Sequence, residues 1–443
     1  MKTKIPAGAR QILQTLTASG REAHLVGGCV RDLLRGVPPH DWDICTSALP
    51  EETKAYFTGR KVIETGLKHG TVTILTPDGA YEVTTYRADG AYTDGRRPDR
   101  VRFVSSLRED LARRDFTMNA IAMSLDGTLQ DPFGGAADIQ AGRIRCVGDP
   151  VRRFQEDGLR LMRALRFSAV LGYAIEPQTA KALRRSRAML DHVAGERIRV
   201  ELSKLLTAPH AGAVLRQYPD ILCQFWPELA PLVELEQHNP WHCWGGWEHT
   251  IRALEAAPAN EVLRLTMLLH DIGKPACKST DEAGIDHFYG HPEVSAQLAR
   301  TMLRRLKCDN ATRRQVVTLV ERHDIQLSPT DKAIRRWLNR LGPETFYQLL
   351  AVKRADGMGQ DQEKVRDRLQ MLENIRARTD EIIAQGQCFS LKDLAISGQD
   401  VIAAGVTPGP EVGRALKQAL EQVLSGQIPN ERSALLELIK RKA

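Results

Sequence analysis

The chain has 443 residues, 42% hydrophobic and 26% charged, with a net charge of +7, an excess of base that suits a polyanionic partner. No run of about 18 apolar residues occurs, so no membrane span is expected, and the start MKTKIPAGARQILQTL lacks the apolar core of a secretory signal. Eight cysteines stand singly with no CxxC pair, a pattern of reduced thiols in the cytoplasm rather than of a disulfide framework or structural zinc.

Ile5, Ile12, Leu13 and Leu16 predict an amphipathic helix, followed by a strand, HLVGG, that two glycines end. β-rich runs then alternate with turns: DWDIC, GTVTIL, AYEVTTY, RVRFV and RIRCVG, with Asp78-Gly79 as a hairpin turn. From Asp149 the apolar period becomes 3.6 and strand signals nearly vanish. VRRFQEDGLRLMRALRFSAVLG predicts a single helix that stops at Gly172. Pro227, Pro231 and NPWHCWGGW break the pattern, His-rich helices follow to residue 360, and a last helical part, interrupted at TPGP, ends in KRKA. The expectation is a multidomain α+β chain in four parts: 1–146 with mixed α and β, then helical 147–225, 226–360 and 361–443.

Gly27 and Gly28 precede Asp41 and Asp43. On a strand, residues two apart share a face, about 7 Å from each other. Two carboxylates so placed can hold two divalent ions about 4 Å apart, which activate a hydroxyl and stabilise departing pyrophosphate. Glycines lacking Cβ let backbone N–H groups approach a triphosphate. A bare DxD is also the mark of a turn followed by solvated aspartates, and spacing alone leaves both open.

LVGGCVRDLLRG followed by DWDI resembles the opening motif of the polymerase-β-like nucleotidyltransferases. With RRDFTMNAIAM at 113–123 and DPFGG at 131–135, the string is similar to class II tRNA nucleotidyltransferases and to their relatives, the bacterial poly(A) polymerases, densely over residues 22–206. His40 departs from the small residue common there. The resemblance implies a head of small sheet plus helices and an all-α neck. It makes Asp41 and Asp43 the catalytic ligands of Mg²⁺, and Gly27, Gly28, Arg31, Arg114, Asp115 and Asn119 the nucleotide-binding residues. An Arg fork suits phosphate oxygens, and Asp and Asn suit ribose hydroxyls. Glu82 is a candidate third carboxylate.

By spacing alone, Asp157 and Arg160 make an intrahelical ion pair. The resemblance implies instead that EDxxR (Glu156, Asp157 and Arg160) selects the incoming base. Asp accepts from an exocyclic amino group and Arg donates to a ring nitrogen, which matches cytosine and adenine and leaves buried groups unpaired against uracil and guanine. Arg163 and Arg166 continue at i+3, facing the triphosphate, the acceptor stem or solvent. RADGAYTDGRRP (87–98) has the character of the loop needed for adding the final A, and TGLKHGTVT lacks the basic signature of the poly(A) polymerases. ERIRVELSKLL (196–206) matches the last family motif and is given no chemistry.

His249, His270-Asp271, His291, His323-Asp324 and Asp356 gather imidazole and carboxylate in one helical stretch, a donor set for Mn, Fe, Ni, Zn or Mg-type ions. WEHTIRAL, LLHDIGKP, GHPEVSA and KRADG resemble the HD phosphohydrolase superfamily in order and separation. This implies a divalent metal at His249, His270, Asp271 and Asp356, a second at His291 and His323, and Lys274 near a substrate phosphate. His287 is expected to be a bystander or a support for the metal ligands. The function expected is template-independent addition of C, C and A to the 3′ end of tRNA from CTP and ATP, with the 361–443 tail binding tRNA and the HD part a metal-dependent phosphohydrolase. The alternatives are a poly(A) polymerase or A-adding enzyme, an HD part that only holds RNA, and a non-catalytic RNA-binding protein.

Overall fold

The computed structural model describes residues 5–89, 101–238 and 244–441. The chain packs as two compact units, Met1–Pro227 and Glu228–Ala443.

In the first unit, α1 (Ala7–Ala18) buries Ile12, Leu13 and Leu16, the stripe its period predicts. Gly8 lets α1 approach the hairpin, since its backbone N–H donates to Asp78 and a Cβ there would stand 2.4 Å from the same carboxylate. Next come β1 (Ala23–Val26), α2 (Gly28–Leu34), β2 (Ile44–Thr46), α3 (Pro50–Tyr56), β3 (Val62–Gly66), β4 (Thr71–Thr76) and β5 (Gly79–Thr85). β4 and β5 form the hairpin expected at Asp78-Gly79, with Thr76 opposite Gly79. After β6 (Arg87–Asp89), β7 (Val101–Phe103) and α4 (Leu107–Ala112) come β8 (Ala122–Met123) and β9 (Leu129–Gln130). The main sheet has the order β3-β4-β5-β2-β1-β8-β9. β1 is antiparallel to β2 and β2 is parallel to β5, so the end of β1 and the start of β2 meet beside Val83 in β5, with Leu25 opposite Ile44 and Ile44 opposite Val83. Gly27 and Asp43 flank those two ends, and Glu82 precedes Val83 within β5.

α5 (Gly135–Gln140), β10 (Arg143–Ile144), α6 (Pro150–Glu156), α7 (Leu159–Leu171), β11 (Ala174–Ile175), α8 (Pro177–Arg185), α9 (Gly195–Leu206), α10 (Ala211–Gln217) and α11 (Pro219–Phe225) complete the unit. The stretch expected as one helix is two. Asp157 is extended (φ −146°, ψ 107°), its carboxylate caps the N–H of Leu159 at 3.0 Å, and a Cβ on Gly158 would stand 2.5 Å from the carbonyl of Met189. Gly172 ends α7 in the left-handed conformation at φ +69°.

Among its described residues the second unit is helical apart from the small pair β12 (Ser279–Thr280) and β13 (Asp286–His287). Its helices are α12 (Ala230–Val233), α13 (Gly246–Ala256), α14 (Glu261–Leu269), α15 (Lys274–Cys277), α16 (His291–Arg305), α17 (Asn310–Arg322), α18 (Asp331–Leu341), α19 (Pro343–Met358), α20 (Gln362–Ala384), α21 (Gly398–Ala403), α22 (Pro410–Leu424) and α23 (Arg432–Lys440). Val401, Leu420, Leu424 and Leu435 anchor a separate apolar cluster under the last three. Among the described residues no helix is long and apolar enough to cross a membrane.

Candidate active site and candidate metal centre

Gly27 takes φ +78°, a conformation that glycine adopts without strain, and a Cβ there would stand 3.0 Å from Arg114 Nη1. Asp41 and Asp43 were expected on a strand. They lie instead in the irregular segment before β2, because regular pairing begins at Ile44. Val26 N–H still donates to the Asp43 carbonyl at 3.0 Å, and both carboxylates line a cavity of about 580 Å³. That cavity gathers every residue expected to hold nucleotide except Glu156, and Arg113, Arg166 and Arg197 as well.

The charges around it are paired. Burial raises the Asp43 carboxyl above the usual carboxylate range; the Arg114 guanidinium opposes this, while Glu82 and Asp41 add to it. Burial works against ionised Asp115 too, but Arg163, bonded at 2.6 Å, outweighs it and holds that carboxyl at about 2. Asn119 donates to Asp115 at 3.2 Å and accepts from Arg31 at 3.1 Å. The guanidiniums of Arg31, Arg163 and Arg166 stand 5.3, 5.4 and 3.9 Å from the Phe167 ring centroid.

Asp157 and Arg160 flank the helix break, each held by other groups. Arg197, from the segment given no chemistry, grips both oxygens of Asp157 at 3.3 and 2.9 Å. Arg160 donates to Glu156 at 2.7 Å and to the carbonyls of Arg153 and Arg113 at 3.0 Å each. Arg197 was not legible as part of this site because no local spacing relates it to Asp157, whereas Phe167, at i+4 from Arg163 and i+7 from Arg160 on α7, carried a helical-spacing signal. The 87–98 loop lies largely outside the described residues.

In the second unit, His249 comes from α13, His270 and Asp271 from the end of α14, His291 from the start of α16, His323 from the end of α17 and Asp356 from α19. All six are buried, but Asp324 is exposed and stands apart from them. The Nε2 atoms of His249 and His270 are 3.2 Å apart, and those of His291 and His323 are 3.1 Å apart. Each Nδ1 meets a backbone carbonyl instead: Gly359 at 3.1 Å, Met267 at 2.7 Å, Phe288 at 2.8 Å and Val320 at 2.7 Å. Nδ1–H donation to those carbonyls would leave each neutral ring its Nε2 lone pair for a metal, and the four Nε2 atoms face inward.

Asp271 stands between the pairs. Oδ2 lies 3.4 Å from His249 and 3.2 Å from His270, and Oδ1 lies 3.4 Å from His291 and 3.5 Å from His323. Asp356 Oδ1 is 3.1 Å from His249. Lys274 Nζ is 2.7 Å from Asp271 Oδ2 but off hydrogen-bond alignment, so this buried oxygen has no hydrogen-bond partner. Two donor groups result, His249–His270–Asp271 and Asp271–His291–His323, each within 4.8 Å. Imidazole lone pairs and an orphaned carboxylate oxygen suit divalent cations.

Supporting residues that the sequence did not signal are glycines and amides. A Cβ on Gly273 would stand 2.6 Å from Ser295 N, and one on Gly359 would stand 2.9 Å from His249 Nδ1. Gln360 donates to both oxygens of Asp356 at 3.2 Å and accepts from Arg368 at 2.9 Å.

Comparison with known proteins places these features in context. Residues 23–145 match the family "Poly A polymerase head domain", 172–230 match "Probable RNA and SrmB- binding site of polymerase A", and 279–439 match a tRNA nucleotidyltransferase domain 2. The CCA-adding enzyme of Levilactobacillus brevis is 37% identical over 97% of this chain and 96% of its own. That of Lactiplantibacillus plantarum is 36% identical over 100% and 98%. The crystal structure of the Bacillus stearothermophilus CCA-adding enzyme in complex with CTP is similar with a TM-score of 0.75 and 34% identity, over 98% of this chain and 96% of that one.

Proposed function

The chain belongs to the family of CCA-adding enzymes, and from that premise we propose that it adds C, C and A in turn to the 3′ end of tRNA, with CTP and ATP as donors and pyrophosphate released. The observation that carries this reading is the cavity in which Asp41 and Asp43 share space with Arg31, Arg114 and Arg163. Asp41 and Asp43 are the residues that would hold divalent ions, Mg²⁺ by family, and such ions would supply activation of the 3′ hydroxyl and charge neutralisation on pyrophosphate. Arg31, Arg114 and Arg163 take the triphosphate oxygens, and Asp115 with Asn119 takes the ribose hydroxyls. Asp157 and Arg160 read the Watson–Crick edge of the incoming base, and Glu156 orients Arg160. That role requires Arg160 to turn from the Arg113 and Arg153 carbonyls and Asp157 to loosen from Arg197, which fits a template formed only when nucleotide binds. The work divides over 1–146 for transfer, 147–225 for base choice, 226–360 for the metal centre and 361–443 for holding tRNA. A cytoplasmic location is supported by the seven cysteines among the described residues, all free thiols.

The test is extension of tRNA lacking CCA. CTP alone should add two residues, CTP with ATP three, and ATP alone none. Repeated A addition with ATP alone would favour a poly(A) polymerase.

The His cluster favours a second activity, metal-dependent hydrolysis of a phosphoester, most directly a 2′,3′-cyclic phosphate or small phosphomonoester. Its support is the set of four Nε2 lone pairs converging on Asp271. His249, His270, Asp271, His291 and His323 would hold a divalent ion, which would supply Lewis acidity for attack by water near neutral pH.

A further inference from the structure

Three guanidiniums of the first site, those of Arg31, Arg163 and Arg166, converge on the ring of Phe167, which is only 5% exposed, and all four side chains line the same cavity. Like charges gathered in a partly buried space repel, so something must hold them together before a polyanion arrives. Acids account for part of this. Arg31 donates to both oxygens of Asp32 at 2.9 and 3.0 Å and to Asn119 at 3.1 Å. Arg163 donates from Nε to Asp115 at 2.8 Å.

Arg166 is held differently. Its Nε stands 2.5 Å from Oε2 of Glu201, a buried carboxylate on α9, but off hydrogen-bond alignment, and both buried atoms are without a hydrogen-bond partner. Burial pulls its pKa below the usual arginine range, with Glu201 opposing this and Arg163 adding to it. Its Cζ lies 3.9 Å from the centroid of Phe167, a stacking distance, where Arg31 and Arg163 stand at 5.3 and 5.4 Å. The ring is itself fixed, packed in a T against the fully buried Phe116 at 5.8 Å and 85°. A negative ring face attracts a guanidinium without accepting its hydrogen bonds. A carboxylate would occupy those donors, whereas the ring leaves the N–H edge free for phosphate oxygens.

We propose that Phe167 is the positioning residue of a triphosphate clamp, its ring gathering the guanidiniums of Arg31, Arg163 and Arg166 while leaving their donors to the ligand, and that Arg166 joins Arg31, Arg114 and Arg163 in that clamp. This rests on the nucleotidyl-transfer reading of the cavity. The clamp grips what CTP and ATP share, so the ring sets affinity for both and takes no part in choosing between them.

The test replaces Phe167 in the full chain by pentafluorophenylalanine, which keeps the shape of the ring but reverses the charge of its face, and compares this with Phe167→Leu and Phe167→Tyr. In extension of tRNA lacking CCA with Mg²⁺, the first two should raise KM for CTP and for ATP alike, by about tenfold, with kcat within about twofold. Phe167→Tyr, whose face stays negative, should remain near the wild type. The pyrophosphate concentration that halves the rate should rise by the same factor, while KM for tRNA and the order of bases added stay unchanged. Arg166→Gln should raise the same nucleotide constants, and Phe167→Leu added to it should have a smaller effect than alone, because the ring acts partly through that cation. Unchanged nucleotide KM values in the pentafluoro variant, or effects that multiply fully in the double variant, would overturn the proposal. So would a rise confined to KM for tRNA, which would assign these arginines to phosphates of the RNA strand. A wild type that extends no tRNA would overturn the nucleotidyl-transfer reading instead.

Discussion

The two candidate sites are built on opposite electrostatic plans. In the first unit, arginines outnumber carboxylates around an open cavity, and Arg163 and Arg197 are tied to Asp115 and Asp157 within it and Arg160 to Glu156 beside it. In the second, four imidazole nitrogens and two carboxylates close on a small buried space, with Lys274 beside Asp271. A cavity whose cations already have partners can exchange those partners for triphosphate oxygens and base edges as the nucleotide changes. A cluster of inward lone pairs has nothing to exchange and is completed only by cations. The first plan serves a site that must alternate between two bases; the second serves a fixed centre.

The sharpest way to break the comparison is to remove the acids of the first site. Asp41→Ala or Asp43→Ala should lower nucleotide addition by about a thousandfold or more, because several kcal/mol of charge stabilisation are lost, with the far-UV circular dichroism spectrum unchanged. The converse change is His270→Ala with Asp271→Ala. Elemental analysis should show loss of the metal and hydrolysis should fall to background, while tRNA extension proceeds, because the two sites share no residue.

Smaller effects sharpen the contrast. Asp157→Ala should admit UTP and GTP in single-nucleotide extension at a cost of about 1 kcal/mol in stability, for the lost cap on Leu159 and the freed Arg197. Arg160→Ala should also relax base choice but destabilise the first unit by about 1–3 kcal/mol, because it strips hydrogen-bond donors from two carbonyls and a carboxylate in a buried setting. Equal stability of the two variants would show that the packing of Arg160 is incidental.

The acid side of the pH profile tests the burial of Asp43. Its carboxyl lies above the ordinary range, so it protonates at a higher pH than a free aspartate would, and addition needs the ionised form. At limiting Mg²⁺ the acid limb should therefore fall above the usual carboxylate range, and it should move to lower pH as Mg²⁺ rises. A limb indifferent to Mg²⁺ would detach it from Asp43. Finally, tRNA affinity should drop by an order of magnitude or more between about 50 and 200 mM salt as arginines of 152–199 and tail lysines bind phosphates. A flat response would mean that shape or base contacts dominate.

What could be read from the sequence followed from what is local. The α1 stripe, the Asp78-Gly79 hairpin and the Gly172 stop depend on neighbours within a few residues, and all three stand as expected. The helix break at Asp157-Gly158 was hidden because LRLMRALRF carries the same 3.6 period on past it, and the reason for the break is distant: the close approach of Met189 to Gly158. The cavity residues were legible as motifs, but Arg197 on Asp157 and Gly359 on His249 join positions 40 and 110 residues apart. No periodicity records such pairs.

The central claim is that one cavity, choosing bases through Asp157 and Arg160, builds a defined three-nucleotide end. Supplying tRNA lacking CCA with all four nucleoside triphosphates together and sequencing the 3′ ends tests it most directly. The account predicts ends reading CCA with no further addition and no U or G. Runs of A, or ends of mixed composition, would contradict it.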